Sequence, residues 1–225
     1  MNEAMKTNVR NGHATGRPPV TGPEREAMHL LANQLRSLAA AVFDRNVPID
    51  LAIHGASVIQ VLTEQVTSAP MRDYQSDTFD SSGFLDFSPV SGLASPVSPP
   101  LRLKSESDGS VSATAVFSDA FEGPPGHVHG GVLAAAFDEV LGLAQTASGT
   151  AGMTGRLTIH YRKPTPTNVE VRFSGHIEST SGRKVVAKAE SRVFFDGEWI
   201  ISAECDGLFV SMPEGFRTLE GGSRF

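Results

Sequence analysis

Cysteine is all but absent: Cys205 is the only one in 225 residues. One thiol excludes an internal disulfide and a cysteine-based metal site, and it fits a reducing compartment such as the cytoplasm. Positive charge is also scarce, with 19 Lys and Arg against 25 Asp and Glu, and no basic run stands out. Nucleic-acid binding draws most of its affinity from clustered cations facing phosphates, so nucleic acid is not an expected partner. The longest apolar run near the centre is interrupted by Asp138 and Glu139, too early to span a membrane, and the first 20 residues have no signal-peptide-like apolar stretch. A cytoplasmic location is therefore expected. No GxSxG elbow occurs, which argues against a serine hydrolase. What is present, 40% hydrophobic and 20% charged residues, is the balance of a globular chain with room for one domain and a sizeable extension.

Residues 1–20 are polar and read as a disordered tail. Thr21 and Glu24 have the spacing of a capping box around Pro23. Ala27, Leu31, Leu35, Leu38 and Val42 then recur at helical spacing and predict an amphipathic helix over 23–43. A second helical pattern covers 52–66. Both helices, within an extension spanning 21–70, are expected to pack on the rest of the chain. Residues 71–98 form a Pro- and Ser-rich connecting loop, where Pro89 and Pro96 forbid a long regular element. The main domain is expected over 99–212, with a tail over 213–225.

Within that domain, 101–105 and the alternating Val111, Ala113, Ala115 and Phe117 predict two strands joined at Asp108-Gly109. A strongly apolar helix follows over 130–147. Four more strands alternate through Met153, Leu157, Ile159 and Tyr161; Val169, Val171, Phe173 and Ile177; Val185, Ala187, Ala189, Val193 and Phe195; and Trp199, Ile201, Ala203 and Phe209. Turns at Ser181-Gly182 and Asp196-Gly197 predict an antiparallel meander. The class is α+β: a curved sheet wrapped around one central helix, which is apolar almost all round because the sheet encloses it.

Only Asp138 and Glu139 carry charge inside that helix, and an unpartnered buried carboxylate is costly, so at least one has a task. Upstream, the segment GPPGHVHGG over 123–131 leads into the helix N-terminus, where free N–H groups and the helix dipole favour developing negative charge. Gly131 and Asp138 are seven residues apart and share a side of the helix. A carbonyl-polarising N–H and a carboxylate facing one substrate suit acyl transfer.

The HGG at 129–131, Asp138 nine positions after His129, and the strand MTGRLTIHYRKPTP over 153–166 resemble the hotdog-fold acyl-CoA thioesterases of the PaaI-like and thioesterase superfamily member type. The resemblance covers about 99–212, and the first 70 residues lie outside it. It implies a homodimer or dimer of dimers, Asp138 as the catalytic carboxylate and Gly131 as the carbonyl-polarising N–H. It places Thr154 as a hydroxyl, contributed across the subunit interface, that positions the attacking water, and His129 as an orienting group or thioester contact. Gly130 would lie against the substrate, and Arg162, Lys163, Arg183 and Lys184 become candidate contacts for coenzyme A phosphates. Coenzyme A is part of the substrate, and no separate cofactor is implied.

The plain alternatives stand beside these readings. Glu139 points about 100° away from Asp138 and reads as a solvent or interface partner. Thr154 falls on the polar side of its alternating strand, where Thr is common for β-propensity alone. Arg183 and Lys184 sit at a turn that is ordinarily solvated. His127 and His129 lack a third ligand at sensible spacing for a metal. Cys205 shares the apolar phase of Trp199, Ile201 and Ala203 and reads as an inert buried thiol. A non-catalytic acyl-CoA-binding hotdog protein and a hotdog acyl-thioester dehydratase or hydratase remain alternatives to hydrolysis.

Overall fold

The structure is a computed structural model describing residues 22–70, 86–147 and 152–211. At its centre is an apolar helix with the expected bounds, Gly130–Ala147. Six strands surround it: β1 (Arg102–Ser105), β2 (Val111–Val116), β3 (Gly152–Tyr161), β4 (Glu170–Ser181), β5 (Lys184–Phe195) and β6 (Glu198–Ser211). They form one antiparallel sheet in the order β1-β2-β4-β5-β6-β3, and the central helix touches all six. Inward residues such as Phe173, Val185 and Ala187 are buried against Phe137, Val140 and Leu141 of the helix. Two glycines set how close helix and sheet come: a Cβ at Gly175 would lie 2.8 Å from the Val140 side chain, and one at Gly207 would lie 2.8 Å from Leu141.

The expected meander holds only for β4, β5 and β6. Their turns are two residues long, Gly182-Arg183 and Asp196-Gly197, with positive φ at Gly182, Asp196 and Gly197. Strand β3 is not the neighbour of β4; it pairs with β6 at the sheet edge. The segment after β3 contains Pro164 and Pro166 and bonds to the loop before the central helix. The Val128 N–H donates to the Thr165 carbonyl at 2.8 Å and the Thr167 N–H to the Gly126 carbonyl at 3.0 Å. It therefore crosses over where a hairpin was expected.

A bulge in β6 overturns another expectation. Ser191 pairs with Ala203 and Arg192 with Ile201, so Ser202 is the extra residue and the facing of the strand reverses there. Ile200 packs against the core. Trp199, expected on the apolar phase, lies 5.5 Å from Phe194 and 3.8 Å under the Arg172 guanidinium.

Both extension helices form. Helix α1 (Pro23–Asp44) begins from Gly22 without a side-chain cap; Thr21, the expected cap, lies outside the described residues. Its buried side carries Arg25 and Ala32, flanked by the partly buried His29 and Arg36, while the expected stripe ends in exposed Leu38 and Val42. The shift has a polar cause. Arg25 and His29 lie 3.1 and 3.6 Å from the buried Asp86 carboxylate. Arg36 donates to the Leu93 and Ser95 carbonyls at 3.2 and 2.6 Å. Helix α1 thus clamps the irregular segment 86–100, in which Ser88, Ser95 and Ser98 are buried. Helix α2 (Ile49–Ser68) has no buried residue, against the expectation that both helices pack on the domain. With these two numbered first, the central helix is α3. Among the described residues, no helix is long and apolar enough to cross a membrane.

Candidate active site

Asp138 lies mid-way along α3, partly buried, and Thr154 reaches it from β3: its hydroxyl donates to Asp138 Oδ1 at 2.7 Å. A bulge makes this contact. The register of β3 slips between Thr154 and Arg156, so Gly155 is the extra residue and Thr154 pairs with the inward-facing Phe209. Without the slip Thr154 would keep to the polar side that simple alternation assigns. Both partners of the hydrogen bond belong to one chain, whereas the resemblance implied a hydroxyl supplied across an interface.

At the N-terminus of α3 the His129 carbonyl accepts from the Val132 N–H at 2.9 Å, which starts the helix. The His129 ring turns back, and its Nδ1 accepts the Gly131 N–H at 3.0 Å. The donor expected to polarise a carbonyl is thus engaged by a side chain two residues away, which requires Nδ1 to be unprotonated. Gly123 packs beneath: a Cβ there would meet His129 Cα at 2.9 Å. The Tyr161 hydroxyl donates to the Gly130 carbonyl at 2.7 Å and ties the far end of β3 to the start of the helix. Sequence reasoning treated Tyr161 only as a strand residue; its place at the end of a strand that also carries Thr154 was the available signal.

Gly130, Tyr161, Arg162, Lys163, His127 and Leu133 line part of an open groove of about 400 Å³. Arg162 is also held by Glu204 at 2.5 Å. The second cation pair is elsewhere. Lys184 pairs with Val210, the residue that faces Met153, so Arg183 and Lys184 belong to the opposite end of β3 from Tyr161. Eight residues separate Thr154 from Arg162, about 26 Å along a strand. The four cations therefore do not converge on one phosphate group within the chain.

Glu139 has a partner that sequence reasoning missed, because it comes from 51 residues away: the Ser88 hydroxyl donates to its carboxylate. Cys205 is buried as expected, and burial, with the negative charges of Asp206 and Asp138 behind it, pushes its pKa up to about 12. It stays a thiol at neutral pH.

Residues 125–193 match the family model of the thioesterase superfamily. A thioesterase superfamily protein of known crystal structure is 30% identical and superposes with a TM-score of 0.72, over 88% of this chain and 97% of that one. That coverage exceeds the span 99–212 and so takes in part of the extension. The acyl-coenzyme A thioesterase THEM4 of Xenopus laevis is 32% identical over 91 residues, 40% of each chain. THEM4 of Bos taurus is 32% identical over 94 residues, 41% of this chain and 38% of its own. The matched part thus spans about two fifths of these curated relatives. The chain belongs to the thioesterase superfamily and has the hotdog fold.

Proposed function

We propose that the protein hydrolyses an acyl-CoA thioester to the free acid and coenzyme A. The observation that carries this reading is the Thr154–Asp138 hydrogen bond of 2.7 Å, on the side of α3 that Gly131 shares two turns earlier. The acyl-coenzyme A thioesterases among the relatives support the substrate class.

In this mechanism the thioester carbonyl oxygen takes the Gly131 N–H from His129 Nδ1, and negative charge builds on it at the helix N-terminus. Either Asp138 removes a proton from water as it attacks, the C–S bond breaks, and Asp138 returns that proton to the leaving coenzyme A thiolate; or Asp138 attacks the carbonyl carbon itself, coenzyme A leaves and takes a proton from solvent, and water hydrolyses the resulting mixed anhydride to the free acid and the regenerated carboxylate. Thr154 fixes the carboxylate rotamer so that the second oxygen faces the reacting carbon. His129 is the group that yields the N–H. Gly130 gives the acyl group close access to the backbone, and Arg162 and Lys163 in the adjoining groove receive coenzyme A phosphates. Arg183 and Lys184 have no part in that contact within the same chain.

Release of free thiol from a panel of acyl-CoA substrates of different chain length tests the proposal. Turnover of at least one member, lost in Asp138→Asn with binding retained, is the expected result. A wild-type protein that binds acyl-CoA without releasing thiol is a binding module instead, and one that hydrates an enoyl-CoA without hydrolysis is a hydratase.

A further inference from the structure

The two glycines that open α3 each make room for a ring. A Cβ at Gly130 would lie 3.1 Å from the Tyr161 hydroxyl and 3.2 Å from its ring carbon Cζ, and one at Gly131 would lie 3.1 Å from His129 Nδ1. Both rings bond to the same peptide unit. The Tyr161 hydroxyl donates to the Gly130 carbonyl at 2.7 Å, and His129 Nδ1 accepts the Gly131 N–H at 3.0 Å. In a trans peptide that carbonyl and that N–H lie in one plane and point opposite ways, so whatever holds the carbonyl aims the N–H. A unit flanked by two glycines restrains itself least, and helix ends fray. In the hydrolysis proposed above, His129 gives up the N–H to the thioester oxygen. The anchor at the carbonyl end stays.

We propose, resting on that hydrolytic function, that Tyr161 is a positioning residue: its hydroxyl holds and polarises the Gly130–Gly131 peptide so that the Gly131 N–H is aimed at the thioester oxygen. Donation to a carbonyl oxygen draws charge through the amide and makes its N–H a stronger donor. Tyr161 lines the open groove together with Gly130, and its ring is 53% exposed. An acyl-CoA seated there excludes water from the bond and strengthens it. Partial burial raises the phenol pKa above its ordinary 10.0, so the hydroxyl keeps the proton it donates. Holding β3 to the loop before α3 does not need this hydroxyl. Backbone bonds from Val128 to Thr165 and from Thr167 to Gly126 already do so, and the Arg162 and Lys163 N–H groups fix the strand end by donating to the Ser202 carbonyl at 2.8 and 3.0 Å.

The test is Tyr161→Phe in the full chain, which keeps the ring and removes only the hydroxyl. On the acyl-CoA turned over fastest, kcat should fall about tenfold, less than the roughly hundredfold or more that loss of an oxyanion donor costs. KM should stay within about twofold and the thermal midpoint within a few degrees. The carbonyl itself reports the cause. With that acyl-CoA isotopically labelled at the thioester carbonyl and bound to Asp138→Asn protein, the infrared C=O stretch should lie below its value in solution, and adding Tyr161→Phe should return it part of the way. If phenylalanine costs the fold more than this, fluorotyrosine decides the same question. Tyr74 is the only other tyrosine, so in an Asp138→Asn/Tyr74→Phe chain the analogue enters at 161 alone. At pH 7, where the fluorinated phenol keeps its proton, this stronger donor should lower the stretch below that of the Tyr74→Phe parent. A kcat within about twofold of wild type, or a stretch that ignores both changes, overturns the inference while hydrolysis stands. A raised KM at full kcat also overturns it, since Tyr161 is then a substrate contact. A wild type that releases no thiol from any acyl-CoA overturns the hydrolytic function and this role with it.

Discussion

Asp138 and Glu139 are neighbours in the chain but belong to two different regions of the molecule. Asp138 looks to the sheet, where Thr154 of β3 holds it. Glu139 looks to the segment 86–100, where Ser88 holds it, and that segment is clamped in turn by Arg25 and Arg36 of α1. The same functional group, one residue apart on one helix, is the proposed reacting group on one side and a tether on the other. What separates them is the 100° step of the helix and the element each step happens to face.

Substitutions separate the two regions by size of effect. Asp138→Asn keeps size and most hydrogen bonding but removes the charge, and kcat should fall by roughly a hundredfold or more with substrate binding retained. An intermediate effect is expected at the groove: Arg162→Ala/Lys163→Ala should raise KM about tenfold, the value of a phosphate contact near 1.4 kcal/mol, at little cost in kcat. Arg183→Ala/Lys184→Ala, at the other end of β3, should leave both constants within about twofold. A KM effect confined to the second pair would place the phosphates at the wrong end of this account.

On the tether side, Glu139→Gln keeps the acceptor for Ser88 and should change turnover less than about threefold, with a thermal midpoint a few degrees lower at most. Smallest of all is the pH effect of Cys205. Its folded pKa, about 12, lies above the ordinary thiol value of 9.0. Its neutral form is thus favoured by folding, a contribution fully present below pH 9 and lost as pH rises towards 12. Cys205→Ala should flatten the fall in stability over that window in alkaline unfolding curves. Native protein should resist iodoacetamide at pH 8.

Much of this was legible in the sequence because it rests on periodicity and short spacing. Helix α3, the β4–β5–β6 meander and the shared side of Gly131 and Asp138 all follow from repeats of 3.6 or 2 residues. The rest depends on single extra residues and distant partners. Gly155 turns Thr154 inward and Ser202 turns Trp199 outward, and nothing in an alternating pattern announces a bulge. The buried side of α1 carries Arg25 and Arg36, whose partners Asp86, Leu93 and Ser95 lie roughly 60 residues on, so an apolar-stripe reading chose the wrong face. The crossing of β3 to the sheet edge is likewise set by backbone bonds between 126–128 and 165–167, which no local signal encodes.

The central claim is that Asp138 and Thr154 of one chain form one chemical unit. Thr154→Val should lower kcat by about tenfold, the scale of losing one positioned hydrogen bond of about 1.4 kcal/mol. The direct measurement is complementation: Asp138→Asn and Thr154→Val chains, differently tagged, are co-expressed, and the hetero-oligomer is isolated and assayed for acyl-CoA hydrolysis. A unit built within one chain predicts activity equal to the average of the two parents. Activity well above that average, approaching half the wild-type rate, would mean that each site takes its carboxylate from one chain and its hydroxyl from another, and would contradict the account.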